Sequence, residues 1–246
     1  MASNQKYQKY THLEHIKKLP DTYVGSIEKT TENIWFFDNS SNRMKKGPVS
    51  FVPGEFKIFD EIIVNALDQY TRTCESNDPN TIRVKNIRVT YDASSGEISV
   101  MNDGDGIPVQ KFESEDIYIP EMIFGSLLTS SNYTEGEKKH VGGKNGYGAK
   151  LTNIFSKKFS VETIDHYSKK SFSITFSDNM SSKSKPEIKT CKTKPMTKIT
   201  YVPDYKLLGG QSGLSTDMIK IIEKRTFDMA ACTDDKTSVF LNDTKV

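Results

Sequence analysis

Cysteine is scarce in this chain, and Cys74, Cys191 and Cys232 stand far apart and in no CxxC arrangement, which argues against a disulfide framework or a local zinc site. The three thiols are expected to be reduced. Long apolar runs are missing as well: Met1 to Tyr10 is polar, and the most apolar later stretch is broken by Asp60, Glu61 and Asn65. Neither a secretory leader nor a membrane span is expected, and no membrane partner. A formal charge of +2 over 246 residues makes no case by itself for nucleic acid or acidic lipid. There is also no internal repeat, no low-complexity block, no Pro/Gly/Ser-rich linker and no GxxxxGK[ST] string of a P-loop. What is present, 35% hydrophobic and 27% charged residues, suits one folded domain over 1–246.

Between Phe56 and Tyr70, the residues Phe59, Ile63, Ala66 and Tyr70 mark one helical face, while Glu61, Asn65 and Asp68 fall at i, i+4 and i+7 on another. A strand is expected over Ile82 to Tyr91, turned by Ser94-Ser95-Gly96 into Glu97 to Met101. Further strands are expected at Phe159–Ile164, Phe172–Phe176, Lys198–Val202 and Val239–Leu241, with a second long helix over Asp217–Ala231. Hairpin strands interleaved with long helices predict an α+β fold, a mixed sheet carrying helices on one face. Asn242-Asp243 offers a turn and Lys245-Val246 the start of a returning strand, so the chain reads as a piece of a longer polypeptide, or as a short protein with an exposed end.

Three segments carry chemistry. Glu61 can orient and deprotonate water, and Asn65, one turn later, offers a neutral oxygen to Mg²⁺; a solvated surface helix fits the same spacing. Asn102-Asp103-Gly104-Asp105-Gly106-Ile107-Pro108 follows a predicted strand, where glycines let backbone approach a ligand and Asn102 can accept from an exocyclic amine; a plain turn is the competing reading. Gly142, Gly143, Gly146 and Gly148 can turn backbone N–H groups toward an anion, Ala149-Lys150-Leu151 begins a helix, and Lys144 and Lys150 add charge for β and γ phosphates.

Together with Leu13-Glu14-His15-Ile16, Pro20-Asp21-Thr22-Tyr23-Val24-Gly25-Ser26, Val52-Pro53-Gly54, Leu127-Leu128-Thr129-Ser130-Ser131-Asn132-Tyr133 and Asn153-Ile154-Phe155-Ser156, these segments resemble the GHKL-type ATPase domain of type IIA DNA topoisomerases, of the eukaryotic sort. The resemblance spans nearly the whole chain. It implies Glu61 as general base, Asn65 as Mg²⁺ ligand and Asn102 as adenine reader, with Asp68, Ile107, Ser130, Ser131, Asn132 and Thr197 as further nucleotide contacts. Gly143, Lys144, Asn145, Gly146, Tyr147, Gly148, Ala149 and Lys150 would wrap the triphosphate, within an ATP lid over 128–150. An N-terminal strap over 1–25 would reach across a homodimer formed on ATP binding, bringing Tyr7 to the partner's site. Gln69, Lys144 and Leu19 depart from the family pattern of Asn, Arg and Arg, and Lys144 gives up the planar fork that binds phosphate bidentately.

The implied activity is an ATP-driven gate for duplex DNA, in a nuclear or viral workplace. The family's transducer lysine, its cleavage tyrosine and its metal-binding cleavage domain have no counterpart among these residues. A nucleotide-dependent dimerisation switch with little hydrolysis is one alternative, and another GHKL branch (chaperone, mismatch-repair ATPase or histidine kinase) is a second. The lysines between Lys157 and Lys198 are expected to form a solvated face, with contact to a captured duplex as the other reading.

Overall fold

A computed structural model of the chain describes residues 10–112, 115–127, 148–209 and 213–246. In chain order, α1 (His12–Lys18) and α2 (Pro20–Val24) lead into a two-stranded ribbon of β1 (Thr30–Asp38) and β2 (Arg43–Phe51), then the long helix α3 (Pro53–Glu75). The hairpin β3 (Asn86–Asp92) and β4 (Glu97–Asp103) follows, then the small ribbon β5 (Lys111–Phe112) and β6 (Ile117–Tyr118), and helices α4 (Ile119–Gly125) and α5 (Gly148–Ile154). The second half holds β7 (Ser156–Asp165), β8 (Lys170–Ser177), β9 (Ser182–Lys183), β10 (Glu187–Thr190) and β11 (Met196–Pro203), then α6 (Thr216–Ala231), β12 (Ser238–Leu241) and β13 (Thr244–Lys245).

The described strands assemble a nine-stranded sheet in the order β10-β8-β7-β11-β4-β3-β12-β13, with β9 beside β8. Its pairs are antiparallel except for the parallel pair of β12 with β3. Register explains why only one face is covered, because directly paired residues project to the same side. One row reads Phe176, Phe159, Tyr201, Ile98, and the next reads Ile174, Val161, Ile199, Val100, Val89; all are buried. On the opposite face the same strands carry Thr175, Ser160, Thr200, Ser99 and Thr90, short hydroxyl side chains that need no covering layer. Against the apolar rows, α3 buries Ile58, Phe59, Ile62, Ile63 and Ala66, while α6 buries Met218, Ile221, Ile222 and Met229. The expected α+β architecture with helices on one face is what forms.

Helix α3 runs further than Phe56–Tyr70 at both ends. Pro53 occupies the first turn, where its missing N–H costs nothing, and the extended Val52 precedes it. Residues 82–85 correct the expected strand from Ile82, because their amides bond to side chains instead of to a neighbouring strand. Ile82 N–H donates to Asp105 Oδ1 (2.6 Å), Val84 N–H to Thr73 Oγ1 (3.1 Å) and Lys85 N–H to Asp103 Oδ1 (2.7 Å). The β1–β2 ribbon was not foreseen. It docks on α6 through the Phe37 and Phe227 rings, 4.8 Å apart, and through Ser50 N–H donating to Asp217 at the start of that helix (2.9 Å).

Candidate nucleotide site

At the third row across the sheet the apolar ladder turns polar: Thr163 of β7, Thr197 of β11 and Asn102 of β4 lie side by side on the helix-covered face. The expected loop position of Asn102 is in fact inside the end of β4, which fixes its direction. Its side chain is 7% exposed, and its Nδ2 donates one proton to the carbonyl of Asp103 (2.8 Å), which leaves Oδ1 and the second Nδ2 proton on offer. The glycine-rich segment then folds back over the strands. Gly106 has φ of +75°, and a Cβ there would strike the Ile164 carbonyl, so only glycine allows this closeness. Ile107 N–H donates to Thr163 Oγ1 (2.9 Å) and Val109 N–H to Asp165 Oδ2 (3.0 Å), pinning the segment to β7. Burial alone would push the Asp165 carboxyl up, but the Ser168 hydroxyl and the amides of Val109 and Tyr167 hold it below the usual range.

The other end of the site lies where α3 meets α5. Glu61 is half-buried, and Gly148, the first residue of α5, sits so close that a Cβ there would collide with its carboxylate. Asn65 is exposed one turn further on, a rise of about 6 Å along the axis, and Asp68 is buried beyond it. Lys57, one turn before, forms an ion pair with Glu61. In α5, Lys150 is only 1% exposed, and burial pushes its ammonium down to about 8. The Thr152 hydroxyl donates to the Ile58 carbonyl (2.8 Å), bolting α5 onto α3, and Asn153 Nδ2 donates to the Phe124 carbonyl of α4 (2.9 Å).

The two ends carry complementary chemistry. Acceptor atoms on the strands suit an amine-bearing base. A carboxylate, a buried ammonium and a glycine that leaves room at the head of a helix suit phosphate and water. The donor set also fits magnesium, which keeps waters and substrate oxygens and takes few protein ligands, here the exposed Asn65 amide oxygen. Of the residues expected from sequence, Glu61, Asn65 and Asp68 lie on α3, Gly148, Ala149 and Lys150 on α5, Asn102 on β4, Thr197 on β11 and Ile107 in the glycine-rich segment after β4. Tyr7, Ser130, Ser131, Asn132, Gly143, Lys144, Asn145, Gly146 and Tyr147 lie outside the described residues. Thr163 and Lys57 were not anticipated. Strand alternation through Phe159, Val161, Thr163 and Asp165 was the available signal for Thr163, since it puts a hydroxyl where the buried face should be apolar.

Residues 55–191 match the family model described as histidine kinase-, DNA gyrase B- and HSP90-like ATPase, and the chain belongs to that family. Within it, similarity runs the length of the chain to DNA topoisomerase 2. The protein of that name from Penicillium chrysogenum is 46% identical over 243 residues, 99% of this chain and 15% of its own, and the one from Pisum sativum is 47% identical over 98% of this chain and 16% of its own. The solved ATPase region of Saccharomyces cerevisiae topoisomerase II superposes with a TM-score of 0.91 at 42% identity, covering 99% of this chain and 62% of that one. The chain therefore spans about one sixth of the length of these curated relatives.

Proposed function

We propose that this chain binds Mg·ATP between the strand row and the α3–α5 corner and hydrolyses it. In a longer protein it would act as the nucleotide-driven entry gate of a type IIA DNA topoisomerase, pairing with a second copy to pass one duplex through another. The observation that carries the reading is the closeness of the Glu61 carboxylate to Gly148 at the head of α5. A terminal phosphate held over that helix start would lie within reach of a water on Glu61. Asn102 Oδ1 accepts from the base amine and sets the nucleotide's register, and Lys150 balances phosphate charge from below. Glu61 then takes the proton of the attacking water as the phosphoryl group departs. Magnesium, when bound, polarises the phosphate oxygens, and Asn65 is the residue that would hold it.

Glu61→Gln keeps the shape and removes the base. Turnover should drop by roughly 10²–10⁴-fold while nucleotide affinity persists, as read by phosphate release and calorimetry. Unchanged hydrolysis would remove Glu61 from the mechanism. The Lys57 ion pair favours a second reading, because an ammonium on one oxygen makes the carboxylate a weaker base. The chain would then be a nucleotide-dependent dimerisation switch with negligible hydrolysis, and vigorous turnover by the unsubstituted chain counts against it. A nuclear workplace, or a viral one, follows from the topoisomerase reading.

A further inference from the structure

Thr163 Oγ1 makes three polar contacts among the described residues: Ile107 N (2.9 Å), the Met196 carbonyl oxygen (3.0 Å) and Thr197 Oγ1 (3.0 Å). A hydroxyl has one proton and two acceptor sites, so three contacts saturate it and each must be assigned a proton. Ile107 contributes its own N–H. The Met196 carbonyl has none, so that contact uses the Thr163 proton. The proton of the third contact must then come from Thr197, whose hydroxyl donates to Thr163 and turns only lone pairs outward. Asn102, its neighbour in the β11–β4 pair, keeps both an acceptor oxygen and one Nδ2 proton, so the acceptor-only position facing the site is Thr197.

The geometry points to Thr163 as a positioning residue for base selection: buried at 1% exposure and one strand away from the base, it orients the Thr197 hydroxyl so that the site accepts a purine carrying an amino group at position 6 and rejects one carrying a carbonyl there. A 6-carbonyl set against Thr197 places acceptor against acceptor, and a buried acceptor without a donor loses affinity. The inference rests on the nucleotide reading above and deepens it. Sequence alone could not yield it, because the polarity of a hydroxyl is set by its partners.

The test compares Mg·ATP with Mg·ITP, which differ at position 6 in this sense, by calorimetry on the chain and on Thr163→Val and Thr163→Ser. The unsubstituted chain is expected to prefer ATP by roughly 10-fold or more. Thr163→Val frees the Thr197 proton to point outward, so the ratio should narrow to within about threefold; Thr163→Ser retains the hydroxyl and should restore it. If Thr163→Val does not fold, as judged by thermal melting, Thr197→Val removes the terminal hydroxyl at a half-buried position and should narrow the ratio similarly. An ATP/ITP ratio unchanged in a folded valine variant, or absent in the unsubstituted chain, overturns the inference while leaving nucleotide binding intact. Failure of the unsubstituted chain to bind either nucleotide overturns the nucleotide reading, and this inference with it.

Discussion

Glu55 sits in the first turn of α3, 5% exposed, with Oε1 lacking a hydrogen-bond partner among the described residues. Burial raises its carboxyl to about 7, against a partial opposing pull from Lys29. The folded state thus prefers the protonated form, whereas the unfolded chain releases that proton near 4.5. The resulting stabilisation is complete below about 4.5 and is lost as pH rises through about 7, up to about 3 kcal/mol in all. Glu55→Gln removes the titration, so the stability of the parent relative to the variant should fall between pH 5 and pH 8 by about that amount in urea melts. Equal differences at the two pH values would mean that the carboxyl is not buried in solution. At this scale the sequence exposed residues whose chemistry is local to a motif, such as Glu61, Asn65 and Asn102. It concealed Glu55 and Thr163, whose roles depend on what a distant segment places beside them.

The junction of α3 and α5 is the element-level device of the site. No positive φ marks Gly148, and what a Cβ there would meet is the Glu61 carboxylate, the movable end of its side chain. Gly148→Ala should therefore displace the carboxylate and lower turnover at least about tenfold, with a melting temperature close to that of the parent. Phosphate release at saturating nucleotide tests this, and a normal rate would show that the carboxylate tolerates displacement. Helical periodicity revealed α3 and α6 because each buries one face, and alternation revealed β7, β8 and β11 for the same reason. The β1–β2 ribbon stayed hidden, since most of its residues are exposed or half-buried and Gly47 and Pro48 interrupt β2. The start of β3 was misplaced because the Asp103 and Asp105 carboxylates claim amides that alternation would assign to a strand.

Across the whole molecule, the large exposed apolar side chains of the described residues are Tyr10, Leu19, Trp35, Met44, Phe112 and Tyr167, of which Trp35 and Met44 share one face of the β1–β2 ribbon and the others stand on other segments. In the gate proposed above, pairing of two copies waits for nucleotide. Sedimentation is expected to show the monomer mass without ligand and a doubled mass with Mg²⁺ and a non-hydrolysable ATP analogue; an unchanged mass at saturation would falsify the gate reading. The lysines expected on a solvated face are largely there, with Lys157, Lys158, Lys169, Lys170, Lys185, Lys192 and Lys194 exposed, while Lys183 pairs with Glu121 (2.7 Å) and Lys198 approaches Glu162 (3.7 Å). The C-terminal turn was also legible: Asn242 and Asp243 both adopt positive φ, and Thr244–Lys245 returns against β12.

The two walls of the site belong to different layers, Asn102 and Thr197 to the sheet and Glu61 to the helix above it. Between those layers the core holds Ile62, Ile63 and Ala66 of the helix and Val100 and Ile199 of the sheet. That filling sets how the helix rests on the strands. A methylene trimmed from it lets the two layers shift against each other, so a defect in the proposed hydrolysis can begin at a side chain that never meets substrate.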